Sequence, residues 1–177
     1  MSIYGAAQLA ASFQTVRKNT IQIAEEIPEE QYGFAAAEGV RPVAKLLVHI
    51  AVAPRVWQAL TQPGVTTLVG FDFPTLLGQM LAEEEKPRSK DQILALLRSE
   101  GESFTAYLSG QEDGPLAEQV LQGDGQSYKT RLEILLSPKE HEMHHRGQLM
   151  LIERMLGITP HMTRHMQERM AQMRAQA

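Results

Sequence analysis

The sequence predicts an all-α fold: an up-down four-helix bundle with an additional C-terminal helix, built as one domain over residues 1–177. Three observations carry this reading. Apolar residues recur at helical spacing through four long segments. Prolines and glycines punctuate the chain between those segments. Outside one short turn-centred stretch, no run alternates as a sheet strand must.

The first helix is expected from Ala6 to Ile27, where Leu9, Phe13, Val16, Ile23 and Ile27 share a face and Pro28 forbids continuation. Gln31 to Gly39 reads as a loop. Pro42 then opens a second helix with Leu46, Ile50, Ala53 and Trp57 on one face, bent at Pro54 and closed by Gln62-Pro63-Gly64. A short helical turn is expected from Pro74, followed by Glu83, Glu84, Glu85 and Lys86 as a charged, exposed run. Ser89 and Gln92 form a capping box for a third helix, which carries Ile93, Leu97, Phe104 and Leu108 and ends near Gly110. Between Gln111 and Lys129 the pattern is weak, and Asp124-Gly125 suits the turn of a small hairpin. A fourth helix covers Thr130 to Leu156 and is stopped by Gly157. Pro138 either kinks it or marks a fresh start capped by Ser137 with Glu140. The last helix follows Thr159-Pro160. Its stripe of Met162, Met166, Met170 and Met173 is expected to pack against the bundle or a partner subunit.

Composition narrows the function classes. A net charge of -4 and a pI near 5.9 argue against a nucleic-acid partner, which normally demands a basic footprint. Arg154, Arg164, Arg169 and Arg174 alternate with Glu153 and Glu168 and read as a solvated face. The chain has no Cys, so disulfides, thiolate metal sites and a cysteine nucleophile are excluded, and a metal must sit on His, Asp or Glu. The first residues lack a signal-peptide pattern, and no stretch resembles a membrane span of roughly 18 apolar residues. A cytoplasmic location without a membrane partner is expected.

The informative stretch is Glu140-His141-Glu142-Met143-His144-His145-Arg146-Gly147-Gln148. At about 100° per residue, His141 and His145 lie about 40° apart on one helix face, so two imidazoles can converge on one ion. Such pairs also occur on ordinary helix surfaces. His49 strengthens the case, because its apolar neighbours in Leu46-Leu47-Val48-His49-Ile50-Ala51 point to an inward or flanking orientation. Alone it would read as a hydrogen-bonded core histidine; with the pair, three neutral imidazoles suit a borderline divalent metal. Gln148 shares nearly the same face and is a candidate to support a ligand or face a substrate. Glu142, about 100° from His141, belongs to a neighbouring or exposed face. His144 is expected at the surface or between helices, and the His161 and His165 pair at the surface. Gly147 suggests a helix passing close by, since glycine otherwise weakens a helix interior.

Gln31-Tyr32-Gly33-Phe34 running into Val43-Ala44-Lys45-Leu46-Leu47-Val48-His49-Ile50-Ala51, together with His141-Glu142-Met143-His144-His145-Arg146-Gly147-Gln148-Leu149, resembles the DinB/YfiT-like superfamily. The helix order matches over nearly the whole chain. The resemblance implies a metal-binding four-helix bundle with His49, His141 and His145 as ligands of one divalent ion. It also implies a homodimer, and a metal-dependent hydrolase or thiol-dependent transferase acting on a small molecule. Imidazoles discriminate poorly among Zn, Ni, Mn and Fe(II), so the metal is left open.

Two rival readings stand beside it. His141-Glu142-Met143-His144-His145 formally matches the H-E-x-x-H zinc-peptidase motif, with Glu153 or Glu168 as a third ligand; Glu142 itself is, like Gln148, a candidate to support the ligands. Its longer form fails, because Gln148 and Leu151 stand where a glycine and a histidine are needed. The other rival is a non-catalytic bundle dimer, stiffened by a metal or free of one. Covalent serine catalysis and nucleotide binding lack their motifs.

Overall fold

The computed structural model describes residues 4–176. Its helices are α1 (Ala6–Glu26), α2 (Val43–Val52), α3 (Pro54–Leu60), α4 (Phe73–Glu84), α5 (Lys90–Ser109), α6 (Arg131–Met155) and α7 (His161–Ala175). A hairpin of β1 (Gln119–Leu121) and β2 (Tyr128–Thr130) turns at Gly125, whose φ of 69° is in the left-handed region. The boundaries follow local chemistry. The Ser89 box with Gln92 starts α5, and a second box, Thr130 with Glu133, starts α6. At the far end of α6, Gly157 takes φ 78° and the Ile158 N–H returns to the Glu153 carbonyl, closing a Schellman cap.

Proline effects explain the other breaks. Pro28 has no N–H for the Ala24 carbonyl, and the Tyr32 hydroxyl donates to that oxygen instead at 2.7 Å. Pro54 splits the expected second helix into α2 and α3 and leaves the Ile50 carbonyl open, which Arg17 Nη2 fills at 3.0 Å. Pro138, by contrast, lies within a continuous α6 that begins at Thr130, so there is no fresh start at Ser137.

Four rods make the bundle: α1, the broken α2-α3 rod, α5 and α6. The pairings of Phe13 with Phe104 and of Lys90 with the Glu25 and Ile27 carbonyls make α1 and α5 antiparallel. Arg55 with Glu100 and Thr61 with Tyr107 make α2-α3 and α5 parallel. Arg17 with Glu142 and Glu26 beside Glu153 make α1 and α6 parallel, so the rods run up, down, down, up, and α4 is the return stroke between the two parallel ones. It is a full helix, longer than the turn expected at Pro74, and it packs against α2.

At mid-height a buried ion pair ties the rods together. Arg17 Nε donates to Glu142 Oε1 and Oε2 at 3.0 and 3.1 Å, and Nη2 reaches Oε2 at 3.0 Å. Nη1 donates to the Leu97 carbonyl of α5 at 2.9 Å, while Nη2 also holds the Ile50 carbonyl of α2. One guanidinium on α1 thus bonds all three other rods. Gly101 makes the room, since a Cβ there would stand 2.8 Å from Arg17 Cγ.

Several sequence expectations are corrected. Glu142 is 1% exposed and faces the bundle axis, because Arg17 neutralises it there. Glu84 is not part of an exposed run: it is buried between α4 and α2. Glu153 leaves the solvated face for the interior, and His161 is buried against α1, with Nε2 3.3 Å from Asn19 Oδ1. Among the described residues nothing lies within contact distance of a Cβ at Gly147, so none of the described helices approaches there. The methionine stripe of α7 does not pack on the bundle; Met162, Met166, Met170 and Met173 are all exposed. Val43–Leu60 is apolar enough to pass as a membrane span by composition, with a mean hydropathy of 1.2, but most of it is spent as bundle core.

Removing one partner of a buried, multiply bonded ion pair strands the other charge, which typically costs about 3–5 kcal/mol. Arg17→Met and Glu142→Leu are each expected to lower the urea unfolding free energy by about that much. The double variant should recover most of the loss. A double variant no better than either single one would show that Arg17 acts through its carbonyl bonds instead.

Candidate metal centre

His49 sits on α2, two turns past Pro42, on the face that looks across to α6. There, His141 and His145 present the same face one turn apart. The Nε2 atoms of His49 and His145 each lie 3.1 Å from Nε2 of His141, and the ring centroids are 4.5–4.9 Å apart. Among the described residues this is the only group of three or more His, Asp or Glu side chains whose ligand atoms lie close enough to share an ion. A tetrahedral ion with bonds of about 2.0 Å holds its ligands roughly 3.3 Å apart, so the spacing suits one.

The outer nitrogens fix which ring atom is bare. His49 Nδ1 lies 2.8 Å from Glu84 Oε1, and a carboxylate oxygen accepts, so this nitrogen carries the proton. His145 Nδ1 donates to Gln148 Oε1 at 2.8 Å, and the same amide donates from Nε2 to His144 Nε2 at 3.2 Å. Both His49 and His145 therefore turn an Nε2 lone pair toward His141. The His141 Nε2 has at most one proton to offer those two lone pairs, whereas a divalent ion at the focus satisfies all three nitrogens. The donor set fits a metal of borderline softness.

Electrostatics keeps the rings neutral. Burial lowers the pKa of each below the ordinary histidine value, and His141 falls furthest, to about 3, through burial and the neighbouring imidazoles. The Arg41 charge pushes all three in the same direction. Trp57, the one tryptophan of the chain, lies 5.2 Å from the His141 ring, centroid to centroid, and covers it from the α3 side.

The other expected residues fall as follows. Gln148 supports His145 and His144, as a ligand-positioning amide would. His144 stays exposed, its ring 4.9 Å from that of His145. Glu142 is buried and bonded to Arg17, so it is not free to act as a base, which counts against the peptidase reading. Glu168 is exposed, and Glu153 lies in the core two turns beyond His145, so neither joins the imidazoles. Sequence reasoning missed Glu84 and Arg41. Phe73, Leu76, Met80 and Glu84 recur at helical spacing on the less exposed face of α4, and that register was the available signal that Glu84 faces inward.

Glu153 carries a second electrostatic feature. It is fully buried, neither of its oxygens has a hydrogen-bond partner, and burial followed by the Glu26 charge raises its pKa to about 7. A folded pKa of about 7 above an ordinary value of 4.5 gives stability that is present in full below pH 4.5 and lost as the pH rises through 7. Glu153→Gln should accordingly be more stable than the parent at pH 8 and similar to it at pH 4, by urea denaturation at both values. A difference that stays constant over this range would show that Glu153 does not titrate there.

The model of the DinB family matches residues 1–175. Solved structures that share the fold include three from Bacillus species. A DinB-like protein of Bacillus subtilis, YjoA, is 21% identical, covering 86% of this chain and 94% of its own, with a TM-score of 0.64. YfiT from Bacillus subtilis, described as a probable metal-dependent hydrolase with an unusual four-helix bundle topology, is 17% identical over 90% and 91%, at 0.68. A DinB-like protein from Bacillus cereus is 20% identical over 86% and 93%, at 0.65. No curated protein matches the sequence at a significant level.

Proposed function

We infer from two facts, that the chain belongs to the DinB family and that three neutral imidazoles share one focus, that this protein is a divalent-metal-dependent enzyme acting on a small molecule. The reaction is hydrolysis, or transfer to an external thiol, since the chain has no Cys of its own. The convergence of three Nε2 atoms carries the reading. YfiT's description as a probable metal-dependent hydrolase supports the hydrolytic form.

His49, His141 and His145 would hold Zn, Ni, Mn or Fe(II). When bound, such an ion supplies Lewis acidity, polarising a carbonyl or lowering the pKa of a water or thiol. The protein's own residues do the rest. Glu84 and Gln148 hold two ring protons at Nδ1 and so keep the facing nitrogens bare. Burial keeps the rings uncharged at neutral pH, and Trp57 shields one flank from water. No fourth ligating side chain joins the group among the described residues, which favours chemistry over a closed structural site.

Protein purified without chelator or histidine tag should carry about one divalent ion per chain by elemental analysis, the single-ion stoichiometry of a three-histidine site. His145→Ala should lose it. Adding Co(II) to stripped protein should quench Trp57 fluorescence in the parent but not in the variant. Unchanged metal content in His145→Ala would sink this site.

We also propose that the chain is a cytoplasmic homodimer joined through α7. The unpartnered stripe of Met162, Met166, Met170 and Met173 supports the dimer, and the use of Val43–Leu60 as bundle core fits a protein outside the membrane. Light scattering should give the mass of two 19.8 kDa chains, and replacing Met166 and Met170 by Lys should halve it. A single-chain mass for the parent would refute the dimer.

A further inference from the structure

A cleft of about 360 Å³ opens beside the imidazoles, lined among others by Arg41, Leu46, His145, Gln148, Leu151 and Ile152. Its size and make-up, apolar walls with a few polar groups converging at one end, are those of a small-molecule site. A larger groove of about 530 Å³ runs between α1 and α5, but Lys18, Arg98 and Glu102 line it and no imidazole reaches it.

We propose that the cleft beside His145 binds an amphipathic small molecule through an anionic group, a carboxylate, seated on Arg41, with its apolar part along Leu46, Leu151 and Ile152. This rests on the metal-dependent reading only for which end of the molecule reacts.

The guanidinium is only partly committed. Arg41 Nε donates to Glu84 Oε2 at 2.6 Å and Nη2 makes a long contact of 3.4 Å to Oε1, while Nη1 has no protein partner among the described residues. The side chain is 38% exposed and lines the cleft. Glu84 fixes the plane of the guanidinium, so its free edge is pre-aimed, and an arginine edge suits a carboxylate in two-point contact.

The charge balance points the same way. Three neutral imidazoles do nothing to offset a divalent ion, and Glu84, the one carboxylate bonded to the cluster, already faces Arg41. Without an ion Arg41 and Glu84 balance and the free guanidinium edge alone attracts an anion; a bound divalent ion would leave the cleft end short of negative charge. The other wall carries Leu151, 58% exposed, which with Leu46 and Ile152 gives the cleft an apolar side. A carboxylate and a hydrocarbon segment together match these two features; a neutral sugar or a polycation matches neither.

The test uses octanoate and octanamide as probes, of equal length, one anionic and the other neutral, titrated by calorimetry into the full chain in metal-stripped and Zn(II)-loaded forms. Octanoate should bind the stripped protein on the order of tenfold more tightly than octanamide, a difference worth about 1.4 kcal/mol. Arg41→Gln should erase that preference, and Arg41→Lys should retain part of it. Leu151→Glu, at an exposed position that does not challenge folding, should weaken octanoate at least tenfold while leaving the Zn(II) content unchanged. Equal binding of the two probes, no binding of either, or an unaffected Leu151→Glu variant would overturn the proposal. Because the stripped protein is measured by itself, a failure of metal binding shows in the zinc content and a failure of the cleft shows in the probe preference.

Discussion

The arrangement depends on one buried guanidinium. Arg17 is placed where four rods cross, and it satisfies a carboxylate on α6, a carbonyl on α5 and a carbonyl on α2 at once. Desolvating this charge costs several kcal/mol and is offset only because every contact is a charge-assisted hydrogen bond of good length. The consequence is geometric. The pair holds α2 and α6 in fixed register at Ile50 and Glu142, and each of these residues is the immediate neighbour of a proposed ligand, His49 and His141. The ion pair and the imidazole focus are thus two faces of the same helix contact. A slip of one residue along α6 would break both.

Pro54 has a part in this register. A proline inside an apolar helix normally costs a hydrogen bond and kinks the rod. Here the unused Ile50 carbonyl becomes an acceptor for Arg17, so the break that divides α2 from α3 is also the point where the rod is fastened to α1. The same economy appears at Pro28, where the Tyr32 hydroxyl takes the Ala24 carbonyl and holds the loop leading to Arg41 against the end of α1. Both breaks lie on chain segments that deliver site residues.

Most of the fold was legible because its signals are local. Capping boxes at Ser89, the glycine stop at Gly157 and the Asp124-Gly125 turn each depend on a few adjacent residues, and each stands where the sequence placed it. The three histidines were legible for a similar reason, through helical spacing on α6 and an apolar setting on α2. What failed was long-range charge pairing. Glu142, Glu84 and Glu153 were all assigned to polar faces, since an acidic residue is ordinarily solvated, and all three are buried. Two are compensated by arginines, Arg17 and Arg41, that lie 125 and 43 positions away in sequence. No window of local periodicity contains that information. Helix order was legible for the same four rods, but their directions depend on α4, which was read as a turn.

The buried acids also separate structure from chemistry within one helix. On α6, successive residues serve opposite purposes: His141 and His145 face α2, while Glu142 faces α1. In a peptidase built on the same five-residue motif, the glutamate must share the metal's face. Any helix turns it about 100° from the first histidine; what takes it from the site here is Arg17, a cation it cannot leave without stranding both charges. The motif is therefore read differently by this bundle: its two histidines face His49, with His145 also lining the cleft, and its glutamate holds the scaffold. Polar work beside the ligands falls instead to Glu84 and Gln148, contributed by a helix the motif does not include and by a residue beyond its end. That division leaves the cleft with imidazole, amide and guanidinium but no free carboxylate, a surface suited to holding an anion rather than to delivering a carboxylate base.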